Sequence, residues 1–308
     1  MPELKCCFCN NKDLSLLYTD QFHKVKKNHG PVNFYTCKKC HSGLTFPLPS
    51  SKQLESLYSS FVNGMDEVTR NNRDANPLDT WFQQCIDRGI HQLSKEITSK
   101  TSFIWIDIGA GKGELARLLS DQYPNSRGLA IDFHSRPELL NTALNVDWLE
   151  CDLNDPLFSR WIDKNNVDLI FSITVLEHIS APGIFIKNVL PLLNKNGAFY
   201  LTVPDFSSIA SRLLKSKWPY LLPGEHLNIP SKKGMNILLN NLLHELNLND
   251  KDFIVFVKRI ILPYPLRYYL QYFRLNFFTK LFGSNRIILK IPTGILEAGI
   301  KPEKQKNK

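Results

Sequence analysis

The 308-residue chain is 43% hydrophobic and 22% charged, a composition that supports a buried core and excludes a disordered or fibrous protein. Its net charge of +9 is uneven, because residues 1–50 carry +4, residues 51–250 carry −4 and residues 251–308 carry +9. The basic excess belongs to the two ends, so it gives no reason to regard the whole protein as a nucleic-acid binder.

The start of the sequence shows no sign of export. The first twenty residues lack the apolar core and small-residue cleavage site of a secretory signal, and no window of about 18 uncharged apolar residues occurs. Five of the seven cysteines fall within the first forty residues, which favours a metal site in a reducing compartment over a disulfide framework. We therefore expect a cytoplasmic protein.

Residues 1–48 contain two Cys-x2-Cys pairs with 27 residues between them. Each pair can form a tight turn around a metal ion, and two such turns close a tetrahedron of thiolates, as in a zinc ribbon. A module this small holds little core, so the metal would supply much of its folding free energy. Either Cys7 or His41 could replace a ligand, although the two equal spacings favour the paired cysteines. The expected ligands of a structural zinc ion are Cys6, Cys9, Cys37 and Cys40.

Residues 49–100 show a helical period. Apolar residues recur there at spacings of three and four, which puts them on one helix face that must pack against another part of the protein. These residues are Phe82, Ile86, Ile90, Leu93 and Ile97. The pattern predicts a helical linker or cap.

Residues 102–205 alternate apolar β runs with helix-like stretches. Such alternation predicts an α/β fold with right-handed βαβ crossovers and a parallel sheet covered by helices on both faces. The β runs cover 103–108, 128–133, 147–151, 168–175 and 198–203, and the helical stretches cover 114–122 and 182–193. The remaining pattern predicts a helix near 234–246, a strand near 253–262 and a last strand at 294–301.

A glycine-rich turn, DIGAGKG, directly follows the first of these β runs. Its glycines are Gly109, Gly111 and Gly113. Glycine lets the backbone take positive φ and lets a ligand approach without a Cβ in the way, and the free N–H groups of the next helix favour polar ligand groups. NAD-binding folds use a similar loop, so the turn alone predicts only a nucleotide-like ligand.

Three acidic residues lie at the ends of successive β runs. Asp107 precedes the glycines, Asp132 ends the second run and Asp152 follows the third. Carboxylates at one edge of a sheet suit a cofactor with an ammonium group, ribose hydroxyls and an exocyclic amine, whereas they would repel a pyrophosphate. The combination therefore disfavours a dinucleotide.

Residues 102–205 resemble the class I S-adenosylmethionine-dependent methyltransferases, in a domain that would cover 101–308. The resemblance rests on DIGAGKG, the acidic end of the second β run, CDLND, VLEHI and NKNGAFYLTVPD together. It implies a Rossmann-like seven-stranded sheet with an antiparallel last strand, and S-adenosylmethionine as the cofactor. It also implies that the glycine loop passes under the methionine part, while the acids bind the amino-acid end, the ribose and the adenine amine. The implied cofactor-binding residues are Asp107, Gly109, Gly111, Gly113, Asp132 and Asp152.

Two Glu-His pairs are candidates for the acceptor side of the site. The pair with His178 follows the fourth β run, and the pair with His226 lies in a GEHL segment that resembles the acceptor pocket of many small-molecule methyltransferases of this class. A positioned histidine that removes a proton from the acceptor typically contributes about 10²–10⁴-fold in rate. His226 is the first candidate base and His178 the second, and either could instead order a loop. Trp218 and Tyr220 are candidates for pocket walls or for core.

The cysteine-rich start carries a second resemblance. It is similar to the zinc-binding start of a bacterial methyltransferase group that includes sugar C-methyltransferases acting on nucleotide-linked deoxyketosugars. This implies a small polar acceptor, such as a nucleotide- or lipid-linked sugar. In that pattern a Cys-Gly pair is often followed directly by an apolar strand. This chain departs from the pattern, because His41 and Ser42 stand after the last cysteine of the module.

Two other functions stay open on the sequence. Some rRNA guanine methyltransferases also carry an N-terminal zinc module, and the +4 charge of the first fifty residues could bind phosphates. The acidic central region, and the absence of an Asn/Asp-Pro-Pro-aromatic motif after the fourth β run, argue against nucleic acid. The other alternative is a non-catalytic cofactor-binding protein.

An aromatic-rich insert is predicted at 263–293. Within 264–287 the basic residues recur at about two helical turns, opposite Tyr, Phe and Leu; they are Arg267, Arg274 and Lys280. Such a helix is typical of a peripheral contact with anionic headgroups, here at the inner face of a membrane. It could equally pack on the protein's own core or on a second copy, so the oligomeric state stays open.

Overall fold

The computed structural model of the chain consists of two β-sheets flanked by helices. The residues it describes are 4–20, 32–50, 52–54, 77–92, 102–222, 224–248, 253–266, 270 and 287–303. Among those residues, no helix is both long and apolar enough to cross a membrane.

The smaller sheet joins the cysteine-rich region to a distant part of the chain. With strands numbered along the chain, its N-terminal strands are β1 (Leu14–Asp20), β2 (Val32–Cys37) and β3 (Gly43–Phe46), all antiparallel. The fourth strand, β9 (Asn228–Ile229), pairs with β3 and places Asn228 opposite Leu44. The sequence did not predict β9, because two residues carry no periodic signal.

The larger sheet has five parallel strands and two further strands at one edge. The strands are β4 (Ile104–Ile108), β5 (Arg127–Asp132), β6 (Val146–Glu150), β7 (Val167–Ile173), β8 (Leu193–Pro204), β10 (Phe253–Pro265) and β11 (Ile288–Pro302). Their order is β10-β11-β8-β7-β4-β5-β6, and β11 runs antiparallel to both of its neighbours. The predicted Rossmann-like sheet of seven strands is therefore confirmed. The order reverses between β4 and β7, which is where open α/β sheets bind ligands.

Helices cover both faces of the larger sheet. They are α1 (Pro77–Ile90), α2 (Glu114–Gln122), α3 (Pro182–Val189), α4 (Ile209–Leu214) and α5 (Lys232–Glu245). One core contains Ile86 of α1 and Trp105, and the other contains Ile106 and Leu239 of α5. The adjacent residues Trp105 and Ile106 of β4 thus enter opposite cores, as expected of a strand buried on both faces.

Two predicted helices differ in extent from the structure. Within 49–100, α1 carries Phe82, Ile86 and Ile90, whereas Leu93 and Ile97 lie outside the described residues. The helix predicted over 182–193 ends at Val189, because Pro191 has no N–H to continue the α-helical ladder and lies in a 3₁₀ turn. Leu193 already begins β8.

Most of the predicted insert at 263–293 lies outside the described residues, including Arg267, Arg274 and Lys280. Its two ends belong to the larger sheet, because Pro265 of β10 pairs with Ile288 of β11. The insert therefore connects two paired strands, and the first residues of the predicted 264–287 helix are strand.

Candidate functional site

The glycine-rich loop connects β4 to α2 at the carboxyl edge of the larger sheet. Gly109, Gly111 and Gly113 all have positive φ, at 76°, 55° and 79°. A Cβ on Gly109 would lie 2.3 Å from Val175, so this glycine is needed for packing. A Cβ on Gly111 would meet no atom within 4 Å, and so would project into open space. The loop therefore leaves room for a ligand at Gly111.

Asp107 lies in β4, directly before this loop, and is 2% exposed. Its Oδ2 atom is buried and has no hydrogen-bond partner. Burial, followed by the negative charges of Asp132 and Glu114, raises the pKa of Asp107 to about 8. A cationic ligand group would both pair with this carboxyl and favour its ionised form.

Asp132 lies at the carboxyl end of β5. Its Oδ2 accepts the Gly111 N–H at 2.8 Å, and its Oδ1 accepts the His134 N–H at 3.1 Å. The His134 Nδ1 atom is a further 2.9 Å from Oδ1. Sequence reasoning missed His134, whose Nε2 is buried without a partner; its position two residues after a strand-end Asp was the available signal.

Asp152 lies in the turn after β6 and is exposed. Its Oδ1 accepts the Asn154 N–H at 2.8 Å, which holds the turn. The preceding Cys151 donates its N–H to the Asp132 carbonyl at 2.8 Å, so the turn runs beside the end of β5. Asp107, Asp132 and Asp152 thus occupy the carboxyl ends of three adjacent strands.

The two candidate bases lie side by side at the end of β7. The rings of His178 and His226 have their centroids 4.8 Å apart at an interplanar angle of 80°. Burial lowers the pKa of His178 to about 4, so that imidazole is neutral at pH 7. The His178 Nδ1 is 3.1 Å from the Glu225 carbonyl, and the His226 Nδ1 is 2.7 Å from the Tyr220 carbonyl. Since a carbonyl only accepts hydrogen bonds, each Nδ1 carries the proton.

Glu177 completes a cluster with these histidines. It is 1% exposed, and its Oε2 atom is buried with no hydrogen-bond partner. Burial raises the pKa of Glu177 to about 8. One ligand-type atom from each of Glu177, His178 and His226 lies within 4.8 Å of the other two. The nearby Thr174, at the end of β7, has φ of 55°, an unusual conformation for a β-branched residue.

The cysteine-rich region is hydrogen-bonded to the segment at residues 226–227, which is called the His226 segment below. Thr45 of β3 donates its N–H to the Leu227 carbonyl at 2.8 Å and its hydroxyl to the His226 carbonyl at 3.0 Å. From the other side, the Leu227 N–H donates to the Glu177 carbonyl at 2.7 Å. Thr45 could not be identified from the sequence, because its contact depends on the long-range pairing of β3 with β9.

The four predicted zinc ligands lie together in the protein interior. Their Sγ atoms are all within 4.8 Å of one another, with Cys6 3.5 Å from Cys40 and Cys9 3.5 Å from Cys37. Four sulfurs about 2.3 Å from a tetrahedral ion would lie about 3.8 Å apart, so the cluster fits a zinc ion with little movement.

The residue after each cysteine pair has a left-handed backbone. Asn10 and His41 have φ of 57° and 62°, and each donates its N–H at 2.8 Å to the carbonyl of the first cysteine of its pair, Cys6 or Cys37. His41 therefore shapes the turn with its backbone. Cys7 contacts β9 of the smaller sheet, where its Sγ donates to the Asn228 Oδ1 at 3.2 Å.

Of the two aromatic pocket candidates, Trp218 belongs to a core. It is 2% exposed and packs with Phe34, Ile229 and partly buried Tyr220 in a cluster between the smaller sheet and the segment after α4.

Comparison with known proteins gives a family. A model described as a methyltransferase domain matches residues 78–250. The trans-aconitate 2-methyltransferase of Azoarcus sp. (strain BH72) is 26% identical over 133 residues, which are 41% of this chain and 50% of that protein. The chain therefore spans about half the length of this curated relative.

Solved structures give the same fold. The plantazolicin methyltransferase BamL, crystallised with a triazolic desmethylPZN analog and SAH, is 13% identical and covers 82% of this chain and 94% of its own, with a TM-score of 0.53. The plantazolicin methyltransferase BpumL, with a pentazolic analog and SAH, is 16% identical and covers 82% and 95%, with a TM-score of 0.50. At these identities the similarity concerns the fold alone. Because the family model matches more than half of its residues, the chain belongs to the methyltransferase domain family.

Proposed function

We propose that this protein transfers a methyl group from S-adenosylmethionine to a small polar acceptor. The observation that carries the proposal is the arrangement of the glycine loop and the acidic residues at the ends of β4 and β5. There, the space beside Gly111 is open and the buried Asp107 Oδ2 lacks a partner. A ligand with a cationic amine would satisfy that carboxyl, and the amino-acid end of S-adenosylmethionine has such an amine.

The other cofactor contacts follow the order of the strands. Gly109, Gly111 and Gly113 would pass under the methionine part of the cofactor. Asp132 would accept the ribose hydroxyls, since each carboxylate oxygen can accept more than the bonds it now receives from Gly111 and His134. The exposed Asp152 would meet the adenine amine. When bound, the cofactor supplies an electrophilic methyl group on sulfur.

The Glu177–His178–His226 cluster is the proposed acceptor side. Alignment of nucleophile, methyl carbon and sulfur can account for about 7–11 kcal/mol of barrier reduction. An acceptor hydroxyl, amine or carbon acid must also lose a proton. We propose His226 as the first base and His178 as the second, each with an Nε2 lone pair because its Nδ1 donates to a carbonyl.

The acceptor is proposed to be a small molecule such as a nucleotide- or lipid-linked sugar. The curated relative is named for trans-aconitate and the BamL complex for a desmethylPZN analog, neither of which is a nucleic acid. The proposal of a sugar rests on the resemblance of the cysteine-rich start, together with the acidic central region.

The proposed layout has a zinc module at 1–48, a helical linker at 49–100 and the methyltransferase domain at 101–308. The donor set of Cys6, Cys9, Cys37 and Cys40 supports a zinc ion, which has no open position for catalysis once four thiolates bind it. Its task would be to fold the module that carries Thr45.

Calorimetry and methyl transfer test the function in two steps. Zinc-loaded protein should bind S-adenosylhomocysteine, and absence of binding would remove the enzyme assignment. Tritium from labelled S-adenosylmethionine should then appear in nucleotide sugars rather than in rRNA. Label in rRNA would favour the RNA alternative, and cofactor binding without turnover on either fraction would favour a non-catalytic protein.

A peripheral membrane contact through 264–287 is also proposed. The full chain and a variant with 267–286 replaced by a short glycine-serine linker can be sedimented with anionic vesicles. Loss of sedimentation in the variant is expected, and equal sedimentation of both proteins would exclude the contact.

A further inference from the structure

We infer that Glu177, His178 and His226 bind one divalent transition-metal ion, at a second metal site distinct from the four-cysteine cluster. One ligand-type atom from each residue lies within 4.8 Å of the other two. Glu177 is 1% exposed, and its Oε2 has no hydrogen-bond partner. A buried carboxylate oxygen without a partner is costly, and a cation beside it removes that cost.

The tautomers of the two histidines suit metal binding. His178 Nδ1–H donates to the Glu225 carbonyl, and His226 Nδ1–H donates to the Tyr220 carbonyl. Each Nε2 therefore bears the lone pair that a metal requires. Metal-binding histidines almost always donate their other ring N–H to a carbonyl, carboxylate or water, which fixes the ring and its tautomer.

The donor set selects a class of metal. Two imidazole nitrogens and one carboxylate suit first-row divalent ions such as Zn²⁺, Fe²⁺ or Co²⁺, and disfavour Ca²⁺ and Mg²⁺, which prefer oxygen. Ligand bonds of about 2.0–2.2 Å would bring the donor atoms to about 3.0–3.4 Å from one another, so no pair needs to approach by more than about 1.8 Å.

Three protein ligands leave coordination positions for the acceptor. This part of the inference rests on the proposed function, because it assigns the ion a role in methyl transfer. An acceptor hydroxyl bound to the ion would have a lowered pKa and would lose its proton to water. Its oxygen would form the bond to the methyl carbon as the carbon–sulfur bond breaks and the electron pair stays on sulfur. With the ion bound, the histidines act as its ligands and water accepts the proton, whereas in the metal-free protein His226 and His178 keep the base role proposed above.

Cobalt titration separates the two metal sites. The full chain is first loaded with one equivalent of Zn²⁺, which the four thiolates bind, and is then titrated with Co²⁺. A nitrogen and oxygen site gives weak d–d absorption without the intense thiolate charge-transfer bands of cobalt bound to cysteine. We expect this weak spectrum to saturate at one equivalent. We also expect a loss of at least about tenfold in cobalt affinity for Glu177→Gln and for His226→Gln.

The matched control is His244→Gln, because His244 is exposed at the end of α5. It should titrate like the unaltered protein. Affinity for S-adenosylhomocysteine, measured on each variant, reports whether the fold and the cofactor site survive. No saturable second equivalent in the unaltered protein would overturn the inference, as would full cobalt affinity in both Glu177→Gln and His226→Gln. Either result would leave cofactor binding, and hence the proposed function, intact.

Discussion

The two sides of the candidate site are built in different ways. The cofactor side is formed by the loop after β4 and by the ends of β5 and β6, so its residues follow one another along the sheet. The acceptor side is assembled from three distant segments that contain Thr45, Glu177 and His226, and they are joined by backbone hydrogen bonds and by the Thr45 hydroxyl. Changes in the proposed zinc module at 1–48 that disable the acceptor side should therefore leave cofactor binding intact.

Removal of the four-cysteine metal site should have the largest effect. In Cys37→Ser/Cys40→Ser we expect loss of zinc and a fall in methyl transfer of about 100-fold, because the His226 segment loses its β3 partner and a shift of about 1 Å can cost that much. Affinity for S-adenosylhomocysteine should stay within about threefold. Lys39→Ala, in the same turn but on its surface, is the control and should keep its zinc. Equal loss of cofactor affinity and turnover in the double variant would contradict the independence of the two sides.

Asp132→Asn tests the cofactor side alone. The neutral amide keeps the shape but loses the charge that accepts the Gly111 N–H and faces the proposed ribose. Hydrogen bonds to a charged group contribute about 1.5–3 kcal/mol, so calorimetry should show a loss of about tenfold to a hundredfold in S-adenosylhomocysteine affinity.

Asp147→Asn is the matched change, because Asp147 is exposed on β6 and pairs with Arg127 away from the glycine loop. It should bind as the unaltered protein does. The hydrogen bond from Thr45 to the His226 carbonyl, and metal binding at Glu177, should be unaffected by either change. Unaltered affinity in Asp132→Asn would remove this carboxylate from the cofactor site.

The sheet, and the residues proposed for the cofactor side, could be located from the sequence because their signals are local. Alternation of β runs and helices located the sheet, and Gly109, Gly111 and Asp132 follow directly from where strands end. The pairing of Asp132 with His134 was missed, since a hydrogen bond two residues along leaves no periodic pattern. The role of Thr45 could not be predicted, because it depends on β3 pairing with β9 more than 180 residues later. Long-range pairing of two-residue strands has no signature in composition or spacing.

The pH dependence of cofactor binding should report on Asp107. Its pKa of about 8 leaves the carboxyl mostly protonated at pH 7, and binding of a cationic amine requires the ionised form. Affinity for S-adenosylhomocysteine should therefore rise, by up to about tenfold per pH unit, as pH increases towards 8, and should level off above it. Calorimetry at pH 7 in buffers with different ionisation enthalpies should detect proton release on binding.

In Asp107→Asn this proton release should disappear, because an amide does not titrate in this range. The affinity of the variant should be low and nearly independent of pH between 6 and 8. Proton release of the same size in the variant would assign the titration to another group.

Thr45→Val should give the smallest effect and the most specific one. Valine keeps the shape of threonine and leaves the backbone N–H bond to Leu227, so only the hydroxyl bond to the His226 carbonyl is lost. A neutral hydrogen bond contributes about 0.5–1.5 kcal/mol, which predicts a fall in kcat of about twofold to tenfold with unchanged cofactor affinity and zinc content. Thr19→Val removes a hydroxyl from exposed β1, where it contacts Asn33, and should leave kcat unchanged. If both variants turn over alike, β3 fixes the His226 segment through its backbone alone, and the coupling between the cysteine module and the acceptor side lies in the strand pairing.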